Sequence, residues 1–314
     1  MSSSAHPLVT DKAQFITHQM VRVLRLSLDR VSARRSAVLF AGAPRVGKSR
    51  CAEFVAGQLK VQLPHVHVML HIALYRESGK RQSVLTELCQ SEHIKPTPRG
   101  VDYLQHLLAY IEGHVTGQPA PQCVLVVDEI QHWRPNDYHV LSGLHNYLQL
   151  QGINLTVIGF SQLEIYERLS GLQLVGHHAM VGRFFSEIIP FRGCRTIEEL
   201  ATILAGCDDN SEYPVGSGTS YTAFFVPEAF AAGFRLAPLA GLMWKAFAEG
   251  VTGKYVNNLP MQHVREAIVD LLLLIAPHDS ALFEADEKLV NEAVRRSGVR
   301  TFCDAQNKRS IFPR

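Results

Sequence analysis

A doubly wound α/β domain followed by an all-helical domain is the fold that the sequence predicts, and three observations predict it. Short apolar runs, Ala37–Ala41, Cys123–Val127 and Leu155–Gly159, alternate with stretches of helical periodicity. Strands that read as near-continuous apolar runs belong to parallel sheets covered on both faces by helices. A glycine-rich turn joins the first run directly to a helical segment, and after Phe191 the strand signal fades. The 314 residues suit about two domains at roughly 150 residues each.

The elements follow in chain order. Phe15, Ile16, Met20, Val23, Leu24 and Leu28 recur at helical spacing, predicting a helix from Asp11 to about Val31 with Arg22, Arg25 and Arg30 on its polar side. Ala37–Ala41 is the first strand, and a helix runs from Lys48 to about Lys60. His65–Leu74 reads as the second strand. Helices at about 82–90 and 101–115 flank the break Lys95-Pro-Thr-Pro-Arg-Gly100, where two prolines stop a helix. Cys123–Val127 is the third strand, a helix covers about 137–150, and Leu155–Gly159 is the fourth strand. A helix follows from Ser161, and Phe184–Ile189 is the fifth strand. Helices at 195–206, 237–249, 260–276 and 284–297 complete the chain, with a Gly/Ser/Asp-rich loop at 207–221. The expected organisation is a basic helical arm, 1–35, an α/β domain, 36–192, and a helical domain with a basic tail, 193–314.

Composition excludes several classes. An apolar fraction of 46% is too high for a disordered chain. The longest aliphatic run, Leu271–Ala276, is far short of the ~20 residues that cross a bilayer, so no membrane role is expected. The start Met-Ser-Ser-Ser-Ala-His lacks the pattern of a secretory signal. Six cysteines form no CxxC pair, which disfavours disulfides and zinc knuckles and fits a reducing, cytoplasmic setting. The net charge of +2 is unevenly placed. Residues 11–50 carry nine Lys/Arg against two Asp/Glu, 295–314 six against one, and 196–292 five against fourteen. Such asymmetry permits a polyanion partner, and it equally suits a solvated surface.

Gly42-Ala43-Pro44-Arg45-Val46-Gly47-Lys48-Ser49 fits the phosphate-loop pattern GxxxxGK[ST] in full, between a strand and a helix. Its glycines allow successive N–H groups to face a phosphate, and the helix N-terminus adds partial positive charge. Lys48 is expected at the β and γ phosphates of ATP and Ser49 at Mg²⁺, with Arg50 beside them. Val124–Val127 then delivers Asp128 to the magnesium shell, and Glu129 is the expected general base for an attacking water.

With these residues in place, Val126-Val-Asp-Glu-Ile-Gln-His132 resembles the DEIQH signature of the TniB and TnsC group, AAA+ ATPases that regulate transposition, and is similar also to MuB. The order of parts from about residue 11 to about 250 agrees. A basic helix comes first, then GAPRVGKS, a helical insert 82–117, DEIQHW, Leu155–Gly159, Gly182-Arg183-Phe184, and a helical lid. The resemblance implies an ATPase that assembles as a ring or filament on duplex DNA without sequence preference. It implies partners in a transposase subunit and a target-selection protein of the TniQ type. It further implies that Arg183 enters a neighbour's nucleotide site. A sensor role falls to Ser161 or Gln162, since Phe160 stands where the family often has threonine, and Arg235 is a lid sensor candidate.

Arg76, Lys80, Arg81, Lys95 and Arg99 are the expected phosphate contacts for DNA, each of which is also an ordinary solvated loop residue. His65, His67 and His71 share one strand face, where a half-exposed strand is a better explanation than a metal, because no carboxylate or cysteine falls on the same face. Trp133 and Phe160 are expected in the packing rather than against bases. A signalling or secretion ATPase acting on a protein partner is the alternative reading.

Overall fold

The computed structural model describes residues 3–13, 15–76, 83–95 and 102–311. The chain divides into two compact bodies, one of residues 20–43 and 48–191, the other of residues 1–19, 44–47 and 192–314.

The first body is built on five parallel strands, β1 (Ala37–Ala41), β2 (His67–Ile72), β3 (Gln122–Asp128), β4 (Asn154–Ser161) and β5 (Ile188–Pro190), in the order β2-β3-β4-β1-β5. Every residue of β1 and β3 is buried, as helices on both faces of a parallel sheet require. The helices are α1 (His18–Ser32), α2 (Lys48–Gln62), α3 (Val84–Ser91), α4 (Tyr103–Val115), α5 (Pro135–Leu150), α6 (Ile165–Leu174) and α7 (His178–Phe184). Leu107, Leu108, Ile111 and Val115 of α4 recur at three- and four-residue steps and bury one stripe. Trp133 and Phe160 are fully buried, as expected of packing residues.

Two expectations change here. The first helix begins at His18 rather than Asp11, because Asp11 has φ 56 and residues 6–13 fold into turns bonded to the His6 and Pro7 carbonyls. Phe184 closes α7 instead of opening a strand, and with Phe185 it packs on Tyr138 in the core.

The second body holds α8 (Ile197–Asp208), α9 (Tyr221–Phe225), α10 (Pro227–Ala231), α11 (Ala240–Gly250), α12 (Met261–Ile275), α13 (Glu287–Arg296) and α14 (Val299–Ile311). The buried Asp208 carboxylate ties it together, accepting from Thr222 Oγ1 at 2.7 Å and from the Leu236 and Ala237 N–H groups at 3.0 Å. His6 is fully buried, ringed by Tyr213, Tyr221, Phe224 and Phe225 at 4.7–4.8 Å.

Burial holds His6 down at about 4. In the first body it does the same to His67, helped by His114 and Lys60, and to His71, helped by Arg76. These imidazoles are neutral when folded and free to take a proton when unfolded. Their contribution is present above the ordinary histidine value of 6.5 and is lost as pH falls from there toward 4. Thermal unfolding scanned across that window is expected to show falling stability, and His6→Phe to flatten the slope for the second body. An unchanged slope in that variant would contradict the burial account. Among the described residues no group of three His, Cys, Asp or Glu is placed to hold a metal. His67 instead faces His114 and Tyr110, and His71 faces Ser91 and Trp133. No described helix is long and apolar enough to cross a membrane.

Candidate nucleotide site

The carboxyl ends of β1, β3 and β4 bring the first body's site residues to one edge of the sheet. The chain leaves β1 at Gly42, whose N–H donates to the Ser161 carbonyl at 3.0 Å. A Cβ on Gly42 would lie 2.3 Å from the Phe191 carbonyl oxygen, so only glycine fits there. Gly47 has φ +102 and Arg45 φ 63, the left-handed steps that curl the loop around an anion. Lys48 is buried, with Nζ donating to the Gly42 and Ala43 carbonyls at 3.1 and 2.8 Å. Its ammonium is thus fixed at the loop opening, where the phosphates of a nucleotide would meet it.

Ser49 opens α2 and its hydroxyl hydrogen-bonds Asp128 at the end of β3. Asp128 also accepts the Glu129 N–H at 3.0 Å. Burial raises its pKa, with the Glu129 charge adding, against the lowering pull of Ser49, that N–H and Lys48. A hydroxyl and a single carboxylate are the hard oxygen donors that Mg²⁺ takes when phosphates and water complete its shell. The residues fit the ion.

Glu129 has φ 54, a left-handed turn that lets its side chain leave the strand direction. Its Oε2 accepts from the Gln131 amide and from Gln162 Nε2 at 3.1 Å, while Gln131 Oε1 accepts the Gln162 N–H at 3.1 Å. Arg168 donates to the Gln131 carbonyl at 3.0 Å. The carboxylate is thus pinned by two amides, and one of them sits at the end of β4. Gln162 directly follows β4. Ser161 is fully buried, and its hydroxyl turns to the Gln162 carbonyl at 2.8 Å, away from a sensing role. Sequence reasoning quoted Gln131 only as a letter of the DEIQH signature. Its signal was its spacing of two from Glu129.

In the second body, loop residues Pro44–Gly47 have their own partners. The exposed Arg45 donates to His263 Nε2 at 3.1 Å and lies 4.5 Å over the Phe302 ring. His263 Nδ1 faces the Ser297 carbonyl at 2.7 Å, so the neutral ring donates there and accepts from Arg45. Val46 is buried, and the Pro44 carbonyl accepts from Tyr255 at 3.4 Å. Arg50 pairs with Glu53 at 3.1 Å across one turn of α2.

Three expected residues stand elsewhere. Arg235 donates through one terminal nitrogen to the Phe230 and Phe234 carbonyls at 2.9 and 2.7 Å and stacks on Phe230 at 3.6 Å, so it caps the end of α10. Arg76 is corrected as a DNA contact: its side chain is buried between Glu87 and Asp137, both at 2.9 Å. Two carboxylates absorb the charge that a phosphate would need. Lys95 is exposed, while Lys80, Arg81 and Arg99 lie outside the described residues. Arg183, near the end of α7, precedes the amino end of β5, and β5 runs parallel to β1. It therefore stands at the opposite edge of the sheet from its own Lys48, across a five-residue strand that spans on the order of 15 Å.

Residues 30–169 match the AAA domain family. The first body has the fold of AAA-type P-loop domains. The human protein named cell division control protein 6 homolog is 26% identical over 165 residues, which is 51% of this chain and 28% of that relative. Among solved structures, Cdc6p from Pyrobaculum aerophilum superposes with a TM-score of 0.51 at 14% identity, covering 86% of this chain and 65% of the other. Drosophila ORC bound to DNA superposes with a TM-score of 0.50 at 12% identity, covering 88% and 59%. The chain thus spans less than two thirds of each of these relatives, and the structural likeness is one of fold.

An AAA domain implies a nucleotide ligand, and Lys48→Ala tests the loop. Two charge-assisted hydrogen bonds at roughly 1.5–3 kcal/mol each put the expected loss of affinity for a labelled ATP analogue at two orders of magnitude or more. Undiminished affinity would remove this loop from the site.

Proposed function

We propose that the chain is an ATP-driven switch in DNA transposition, cytoplasmic, that assembles on duplex DNA with ATP and Mg²⁺ bound and comes apart on hydrolysis. The observation that carries this reading is the split of the machinery. Glu129, pinned by Gln131 and Gln162, lies at the carboxyl edge, and Arg183 lies at the amino edge. An arginine that cannot reach its own nucleotide can complete the site of a second copy, which makes ATP the bond between subunits and hydrolysis the release. The DEIQH and Gly182-Arg183-Phe184 boxes support the transposition assignment. With it come the other proposed partners, a transposase subunit, a target-selection protein of the TniQ type, and further copies in a ring or filament.

Within the site, Lys48 and the loop N–H groups bind and orient the phosphates. Ser49 and Asp128 would hold Mg²⁺, which supplies charge neutralisation on the phosphate oxygens. Glu129 accepts the proton of the attacking water. DNA would be held through phosphates, by Lys95 and by Lys80, Arg81 and Arg99.

Sedimentation with duplex DNA tests this reading. Binding is expected only with ATP, is expected to be indifferent to sequence, and is expected to fall steeply between 50 and 200 mM salt, because the counterions that binding releases gain less entropy in the saltier solution. Binding without nucleotide, or unchanged by salt, would contradict it. A replication-initiation role is the second reading, favoured by the match to the human cell division control protein 6 homolog. It predicts preference for particular sites, which competition between unrelated duplexes detects.

A further inference from the structure

At the amino edge of the sheet, away from the phosphate loop, lies a cavity of about 420 Å³ lined by Arg34, Ser36, His145, Gln149, Asn154 and Arg183. Its volume is many times the ~30 Å³ share of one water. Among the described residues no carboxylate lines it.

Among the described residues the two guanidiniums each have one hydrogen-bond partner, a backbone carbonyl. Arg34 donates to Ala120 at 2.9 Å and Arg183 to Ser142 at 3.3 Å. Most of their N–H groups remain for a ligand, in the forked geometry that suits phosphate oxygens. His145 supplies the second, independent observation. It is only 8% exposed, and neither of its ring nitrogens has a hydrogen-bond partner. Buried polar atoms left without partners are rare and mark a group that is satisfied by something else. Burial and Arg183 keep this imidazole below the ordinary histidine range, so it offers one N–H and one lone pair. Ser36 adds a hydroxyl and Asn154 an amide.

From the cavity's volume, its two arginines and the orphaned His145, we propose a second anion site here, one that takes a chain of phosphoryl groups. The chemistry is that of a polyphosphate tail, which comes either free, on a small phosphorylated ligand, or on the nucleotide held by a second copy of this chain. The site shares Arg183 with the trans reading but does not rest on it, because a single chain suffices for binding.

The experiment titrates full-length Lys48→Ala protein, whose phosphate loop is disabled, with tripolyphosphate while the His145 imidazole resonances are followed by NMR. If that variant does not fold, wild-type protein saturated with ADP gives the same readout. A saturable shift at His145 is expected. Affinity is expected to fall at least tenfold in Arg34→Gln and in Arg183→Gln, and to stay unchanged in the exposed control Arg295→Gln. Wild-type association driven by ATP is then challenged with excess tripolyphosphate. Competition identifies the second copy's nucleotide as the source, and binding without competition identifies a free ligand. Either result supports the site. No shift at His145, equal affinity in the arginine variants, or an equal response to citrate would overturn it. Loss of hydrolysis in Arg183→Ala with a silent His145 would sink the cavity while leaving the trans reading intact.

Discussion

Glu129→Gln is expected to bind ATP normally and to hydrolyse it 10²- to 10⁴-fold more slowly, the usual worth of a positioned general base. The amide keeps the shape of the carboxylate and can still accept from Gln131 and Gln162, so the loop and the end of β4 stay in register. It cannot take a proton from water. Nucleotide affinity by titration and turnover by phosphate release separate the two effects. If the ATP-bound assembly is the active state, it should outlast the wild-type assembly by the same factor. Wild-type turnover would show that another group is the base and that the two glutamines hold Glu129 for a structural reason.

The α/β body was legible because its physics is local. β1 and β3 are buried on both faces, so their sequences are wholly or nearly wholly apolar, and the loop pattern has few other uses. The errors arose where distant contacts decided the outcome. Phe15 and Ile16 fit the helical spacing of α1, yet Phe15 belongs to the second body and packs there on Tyr221 and Gly206, while Ile16 is exposed. Phe184 and Phe185 look like the start of a strand because they are apolar, but their burial comes from α5 through Tyr138. Arg76 looked like a free loop cation. Its partners Glu87 and Asp137 lie 11 and 61 residues away, and nothing in a one-dimensional reading joins them. Arg235 has close neighbours for partners, Phe230 and Phe234, and a helix cap is a local arrangement that the sequence around it allows. The helix α14 reads in the sequence as a basic tail, because its 13 residues carry too little apolar periodicity to mark a helix.

Arg183→Ala carries the second large effect. The side chain makes one long hydrogen bond to Ser142 and has no carboxylate partner among the described residues, so its removal should leave the fold intact. ATP binding to an isolated subunit should also be nearly unchanged, since Lys48 and Ser49 belong to the other edge of the sheet. Hydrolysis should fall by a factor on the order of 10³, as for other arginine fingers. Steady-state turnover against protein concentration adds a check: the wild-type rate per subunit should rise with concentration as interfaces form, and the variant's should stay flat.

The central claim is that a complete site needs Glu129 from one subunit and Arg183 from another, and mixing Arg183→Ala with Glu129→Gln protein measures it directly. Each variant alone has every site damaged. In mixed assemblies some interfaces pair an intact Glu129 with an intact Arg183, so activity should return in excess of the two separate rates and should peak at an intermediate mixing ratio. A mixture that shows only the sum of the separate rates, while crosslinking proves that mixed assemblies have formed, would contradict the account.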